Sequence, residues 1–118
     1  MPVTGIGGLF FRARDPEALM QWYRDHLGIG LGDHGMWEQG GGTTVFSPFP
    51  ADSDYFASDK AFMLNLRVDR LDELLATLGD AGVEVITKPE WEDPSIGRFA
   101  RIHDPEGNPI ELWEPPAS

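Results

Sequence analysis

Apolar and polar positions along the chain run through two rounds of one alternation. Residues 5–12 (GIGGLFFR) form an apolar run with aromatics at Phe10 and Phe11, and read as a strand. Asp15, Pro16 and Glu17 follow as a helix start, since Asp15 can cap free N–H groups and Pro16 suits the first helical position. Leu19, Met20, Trp22, Tyr23 and Leu27 recur at helical spacing, and Gly28 supplies a stop. Glycines then interrupt residues 29–47, predicting short strands at 29–31, 36–38 and 43–47. Residues 48–60 carry Pro48 and Pro50 with Asp52, Ser53, Asp54, Ser58 and Asp59, and read as a linker.

The plan then repeats. A strand is predicted over 61–68 and a helix over 71–81, with Leu71, Leu74, Leu75 and Leu78 on one face and Gly82 as its end. Residues 83–86 alternate as a strand, and 89–94 read as a polar loop with an exposed Trp91. Strands at 97–103 and 109–114 flank a turn from Asp104 to Asn108. Each half therefore reads as a βαβββ module: module one over 1–50, a linker over 51–60, and module two over 61–118. One such module is too small for a good core, whereas two could bury the helix faces and curl their sheets around a cavity. The predicted class is α+β, with a curved half-barrel sheet.

Charge narrows the choice of partners. The 118 residues suffice for one domain, and 20 acidic against 9 basic residues leave a formal net charge of −11. Such a surface repels polyanions, so neither nucleic acid nor an anionic membrane is an expected partner. Cysteine is absent, which removes disulfides, thiolate metal sites and cysteine nucleophiles. No apolar run approaches the roughly 18 residues of a membrane span, and no leader pattern opens the chain. A soluble, cytoplasmic protein is the expectation.

Three segments carry a family likeness. Asp15-Pro16-Glu17-Ala18-Leu19, followed by Trp22-Tyr23-Arg24-Asp25-His26-Leu27-Gly28, resembles the first-helix pattern of the vicinal-oxygen-chelate superfamily. This group includes glyoxalase I, bleomycin-resistance proteins and extradiol dioxygenases. Val68-Asp69-Arg70-Leu71-Asp72 with Gly82-Val83-Glu84-Val85 resembles its second helix. Gly97-Arg98-Phe99 with Asp104-Pro105-Glu106-Gly107-Asn108-Pro109-Ile110-Glu111-Leu112 resembles its closing hairpin, the most specific of the three.

In the superfamily's metal enzymes, the first and last strands of each module each give one ligand. The resemblance places those positions at Gly8, Thr44, Met63 and Glu111. Gly8 has no side chain, Met63 is a soft thioether, and only Glu111 is a good ligand. One carboxylate is too few for a catalytic ion, so no cofactor is expected, and a divalent metal stays as the alternative. His26 reads as a helix-end histidine, His34 as solvated, and His103 as a strand-end surface residue that could instead approach Glu111.

Glu111 has two readings. A tight hairpin sets Arg101 opposite it, giving a cross-strand ion pair. Facing a cavity beside Trp113, it could instead act as a general base. Phe10, Trp37, Phe46, Phe49, Phe62, Asn65, Phe99, Arg101 and Trp113 are the ligand-binding candidates, since aromatics with a few polar groups suit a small-molecule pocket. The same aromatics would also serve a core or a dimer interface. Tyr55 and Phe56 are candidates for a flap or a partner contact.

Three functions follow. The first is metal-free binding of a small aromatic or cationic molecule by a homodimer, as the resemblance to the bleomycin-resistance branch implies. The second is a metal-dependent lyase or isomerase like glyoxalase I. The third is a metal-free enzyme with Glu111 as base.

Overall fold

The computed structural model describes residues 2–117. Helix α1 spans Pro16–Leu27. Its start is built as the sequence predicts: Asp15 accepts from the Ala18 N–H at 3.1 Å, and Pro16 opens the first turn. It ends at Gly28, whose φ of 68° is left-handed backbone that costs a side-chain-bearing residue more than glycine.

Strand β1 (Leu64–Arg67) leads to helix α2 (Leu71–Asp80). Arg70 at the start of α2 offers no side-chain cap; the Glu114 carboxylate, from the far end of the chain, accepts from the Leu71 N–H at 3.0 Å instead. Strands β2 (Glu92–Asp93), β3 (Gly97–His103) and β4 (Pro109–Glu114) complete one open sheet in the order β1-β4-β3-β2. β1 runs parallel to β4, and the other pairs are antiparallel.

Strand alternation gives this sheet two unlike faces. On one, Leu66, Ala100, Ile102, Ile110 and Leu112 are buried, and both helices cover them with Leu19, Tyr23, Leu71 and Leu78. On the other lie Asn65, Glu111 and Arg101 in one cross-strand row, and Arg67, Trp113 and Phe99 in the next. The core therefore fixes which side chains face away from the helices.

The turn between β3 and β4 is tied by one carboxylate. Asp104 is 4% exposed and accepts from the Glu106 N–H (2.9 Å), the Asn108 N–H (3.0 Å), the Asn108 side-chain amide (2.8 Å) and the Tyr23 hydroxyl (2.7 Å). Glu106 then accepts from the backbone N–H groups of Arg14 and Asp15, at 2.7 and 2.9 Å. These bonds join α1 to the closing hairpin across some ninety positions of sequence.

The second half matches its predicted elements closely, with three differences. The strand predicted over 61–68 is confined to Leu64–Arg67. Residues 83–86 form only a bridge, Ile86 with Arg101. The predicted loop after residue 88 contains a short 3-10 turn (Pro89–Trp91) and β2.

The first half differs more. Its predicted strands at 5–12, 29–31, 36–38 and 43–47 are not formed as strands, and only α1 and a short turn at Asp33–Gly35 are regular. A strand needs a neighbour to receive its N–H and C=O groups, and these segments stand largely in solvent without one. Phe10 is 94% exposed and Phe46 87%, with Val3, Ile6, Val45 and Met36 also outside.

Candidate functional site

An open groove of about 2870 Å3 is lined by the helix-free face of the sheet, the first-half segments and, at the β1 edge, parts of both helices such as Met20, Leu74 and Thr77. Its floor includes Asn65, Glu111, Phe99 and Trp113, and Phe10, Trp37, Phe46, Phe49 and Phe62 lie along it. Nine of the ten site residues named from the sequence therefore line one space; the tenth, Arg101, does not reach the groove surface.

Glu111 sits at the centre of the floor and is 8% exposed. One carboxylate oxygen accepts from the Asn65 amide at 2.7 Å and the other from the Tyr55 hydroxyl at 2.5 Å. The register places Arg101 opposite Glu111, as the hairpin predicts. The expected ion pair does not form: no nitrogen of Arg101 approaches Glu111 within the 4.0 Å of an ion pair. The guanidinium turns to aromatic rings instead, lying 4.9 Å from the Tyr55 centroid and 5.6 Å from that of Trp91, and donating to the Tyr55 carbonyl at 3.1 Å. Its Nε is buried with no acceptor.

Tyr55 thus covers the Arg101–Glu111 row. Its ring also meets Phe49 and Trp91, at 5.7 and 6.0 Å between centroids. One row along, Phe99 and Trp113 pair across β3 and β4 with rings 6.1 Å apart and 5° from parallel. The Trp113 indole N–H donates to the Ile96 carbonyl at 2.9 Å, which fixes the ring plane. Arg67, the parallel-strand partner of Trp113, donates to the carbonyls of Gly40 and Thr43 and holds the glycine-rich segment at the groove's edge.

Two tyrosine hydroxyls titrate well above their usual range. Burial, then the bond to Glu111 and its charge, push the Tyr55 hydroxyl up to about 12, against the opposing influence of Arg101. Tyr23 is raised further by burial, its bond to Asp104 and that carboxylate's charge. An unperturbed tyrosine ionises near 10.0. Above that pH the unfolded chain releases protons that the folded chain keeps, so the contribution is complete below about 10 and declines as pH rises through the folded values. The melting temperature is expected to fall between pH about 10 and 11.5. A Tyr23→Phe chain, melted over the same range, should show a shallower fall; identical slopes in the two proteins would refute the assignment.

The donor set does not fit a divalent ion. Among the described residues no three His, Cys, Asp or Glu side chains converge. Gly8 and Thr44 stand in exposed first-half segments, and both oxygens of Glu111 already accept hydrogen bonds. His103 lies exposed opposite Pro109, not beside Glu111; His34 is exposed, and His26 packs its ring against Trp22 at 5.2 Å.

The sheet is backed by helices and carries Glu111 and Trp113 on its other face, as the alternation of the closing hairpin implies. The sequence profile of the glyoxalase-like domain matches residues 8–113. The chain belongs to the glyoxalase-like domain family. Two solved structures are similar over most of its length. TnmS3, an antibiotic binding protein from Streptomyces sp. CB03234, is 28% identical, with a TM-score of 0.61 and 98% of each chain covered. A glyoxalase/bleomycin resistance protein from the same strain is 31% identical, with a TM-score of 0.50, covering 84% of this chain and 90% of that one. No curated protein matches.

Within this glyoxalase-like chain, Trp91 joins Arg101 in departing from its sequence reading. Trp91, read as exposed, is half-buried between Tyr55, Arg101 and Lys88. Nothing in its local pattern marks it, because its contacts are with β3 and the linker. Tyr55 is a candidate from the sequence for a flap or a partner contact, and the structure lays it on Glu111.

Proposed function

We propose that the chain is a metal-free binding protein for a small aromatic or amphipathic molecule, held against the Phe99–Trp113 pair. The observation that carries this is the near-parallel pair itself, set in the open groove beside a polar row. Small-ligand pockets join largely apolar walls to a few placed polar groups, and Asn65 and Glu111 supply those here. The similar TnmS3 is an antibiotic binding protein, which supports a small-molecule ligand. The net charge of −11 favours a cationic ligand by raising its local concentration.

The working unit is a homodimer. A groove of about 2870 Å3 greatly exceeds the roughly 300–1,000 Å3 of a small-molecule pocket, so it has room for polypeptide as well as ligand. Exposed Phe10, Phe46 and Val45 and the unpaired first-half segments are the complementary surface. In this reading residues 1–50 act as one module and 61–118 as the other, joined by the linker at 51–60, and the modules pair between copies. The protein works in the cytoplasm with no nucleic-acid or membrane partner; no helix among the described residues is long and apolar enough to cross a membrane.

Titration calorimetry against a panel of aromatic cations tests the binding. Trp113→Ala is expected to weaken any ligand found by about tenfold or more, consistent with about 1–3 kcal/mol for a stacking ring, with unchanged circular dichroism. Sedimentation should give a dimer that Phe46→Asp converts to a monomer. Full affinity in Trp113→Ala would overturn the binding mode, and a monomeric wild type would overturn the assembly.

A second reading keeps Glu111 as a general base. It is favoured by the short bond from the Tyr55 hydroxyl, which shows that an O–H group can reach the carboxylate. Turnover abolished by Glu111→Gln, with binding retained, would select it.

A further inference from the structure

We infer that Glu111, Asn65 and Arg101 form a subsite for a phenolic hydroxyl, and that Tyr55 fills it when no ligand is bound. The inference rests on the binding reading above and adds a chemical class to it: a ligand carrying a hydroxylated aromatic ring.

The chain displays its own phenol in this position. The Tyr55 hydroxyl donates to one Glu111 oxygen at 2.5 Å, while the Asn65 amide holds the other at 2.7 Å and so fixes the carboxylate plane. The ring lies 4.9 Å from the Arg101 guanidinium, a stacking partner for any electron-rich ring. Arg101 is 7% exposed and Glu111 8%, so both groups are desolvated and discriminate strongly between a ring with an O–H donor and one without. Toluene in this place would leave a buried carboxylate oxygen without its donor.

Tyr55 is also built to leave. It belongs to residues 51–60, which form turns and bends but no helix or strand. Its fit is incomplete, because Nε of Arg101 stays buried without an acceptor. The subsite adjoins the rest of the groove: Trp113 lies two residues after Glu111 and Phe99 two residues before Arg101, on the same face and about 7 Å along the strands. A molecule with its phenol on Glu111 can therefore lie over the aromatic pair.

The test removes the internal phenol and returns it as a small molecule. Tyr55→Gly is mixed with 4-methylphenol, which reproduces the lost side chain, or with toluene or 4-methylanisole, which lack the donor. 4-Methylphenol is expected to raise the melting temperature of Tyr55→Gly and to bind it about tenfold more tightly than either control, and about tenfold more tightly than it binds wild type. Equal binding of all three compounds, or no binding to the folded variant, overturns the inference. If Tyr55→Gly does not fold, tyrosine-labelled wild type is titrated by NMR. The Tyr55 ring resonance should then move with 4-methylphenol and not with toluene, and an unmoved resonance overturns it equally. Trp113-dependent binding of hydroxyl-free aromatics to wild type would persist in that event, so the broader reading fails separately.

Discussion

Asp104→Ala is expected to cost about 3–5 kcal/mol of folding stability. The carboxylate accepts four hydrogen bonds at 2.7–3.0 Å, and it is buried. Alanine leaves the Tyr23 hydroxyl and two turn N–H groups without their acceptor, at about 1–3 kcal/mol for each that water cannot reach. The turn that sets the β3–β4 register loosens, and so does the seat of α1, because Glu106 on the same turn caps the backbone at Arg14 and Asp15. Tyr23→Phe, which removes one of the four donors, should cost only about 1 kcal/mol. Urea unfolding of the three proteins decides it. A loss near 1 kcal/mol for Asp104→Ala would mean that the turn is held by its backbone bonds alone.

Leu112→Ala should cost about 3–5 kcal/mol, towards the upper end for truncation of a buried leucine. Leu112 is fully buried in β4, between Leu66 on one side and Ala100 on the other. Ala100 is too small to fill the space, and α2 is held from both ends, by Glu114 at its start and by the Val83 N–H on the Leu78 carbonyl at its finish. Collapse around the gap is therefore limited, and the cavity persists. The neighbouring Glu111→Gln should behave oppositely: a small change in the unfolding midpoint, with its effect confined to ligand or phenol binding. A Leu112→Ala chain that unfolds at the wild-type midpoint would place the core elsewhere.

Much of this arrangement is legible in local chemistry. Asp15, Pro16 and Gly28 announce both ends of α1, because capping acts within one turn of chain. The Asp104–Asn108 turn and the alternation after it assign Ile110 and Leu112 to the helices and Glu111 and Trp113 to the opposite face. The hairpin register likewise set Arg101 opposite Glu111. Register did not decide what Arg101 does there. A cross-strand ion pair was the local expectation, and Tyr55 from the linker replaced it by offering Glu111 a donor and Arg101 a ring and a carbonyl.

The strands predicted in the first half show the same limit. Their apolar runs leave large side chains exposed, Phe10 and Phe46 among them. An apolar pattern selects a conformation, but only a neighbouring strand completes it, and among the described residues none pairs with these segments.

By itself, then, the sequence determined both helices, the closing hairpin and the membership of its two faces. Those properties depend on residues a few positions apart. The tertiary structure alone decided that Tyr55, 56 positions away, lies on Glu111, that Trp91 packs against Arg101, and that Glu114 caps α2. These contacts arise when packing of the core brings distant segments together, and no local pattern encodes which of several donors will arrive first at a buried carboxylate.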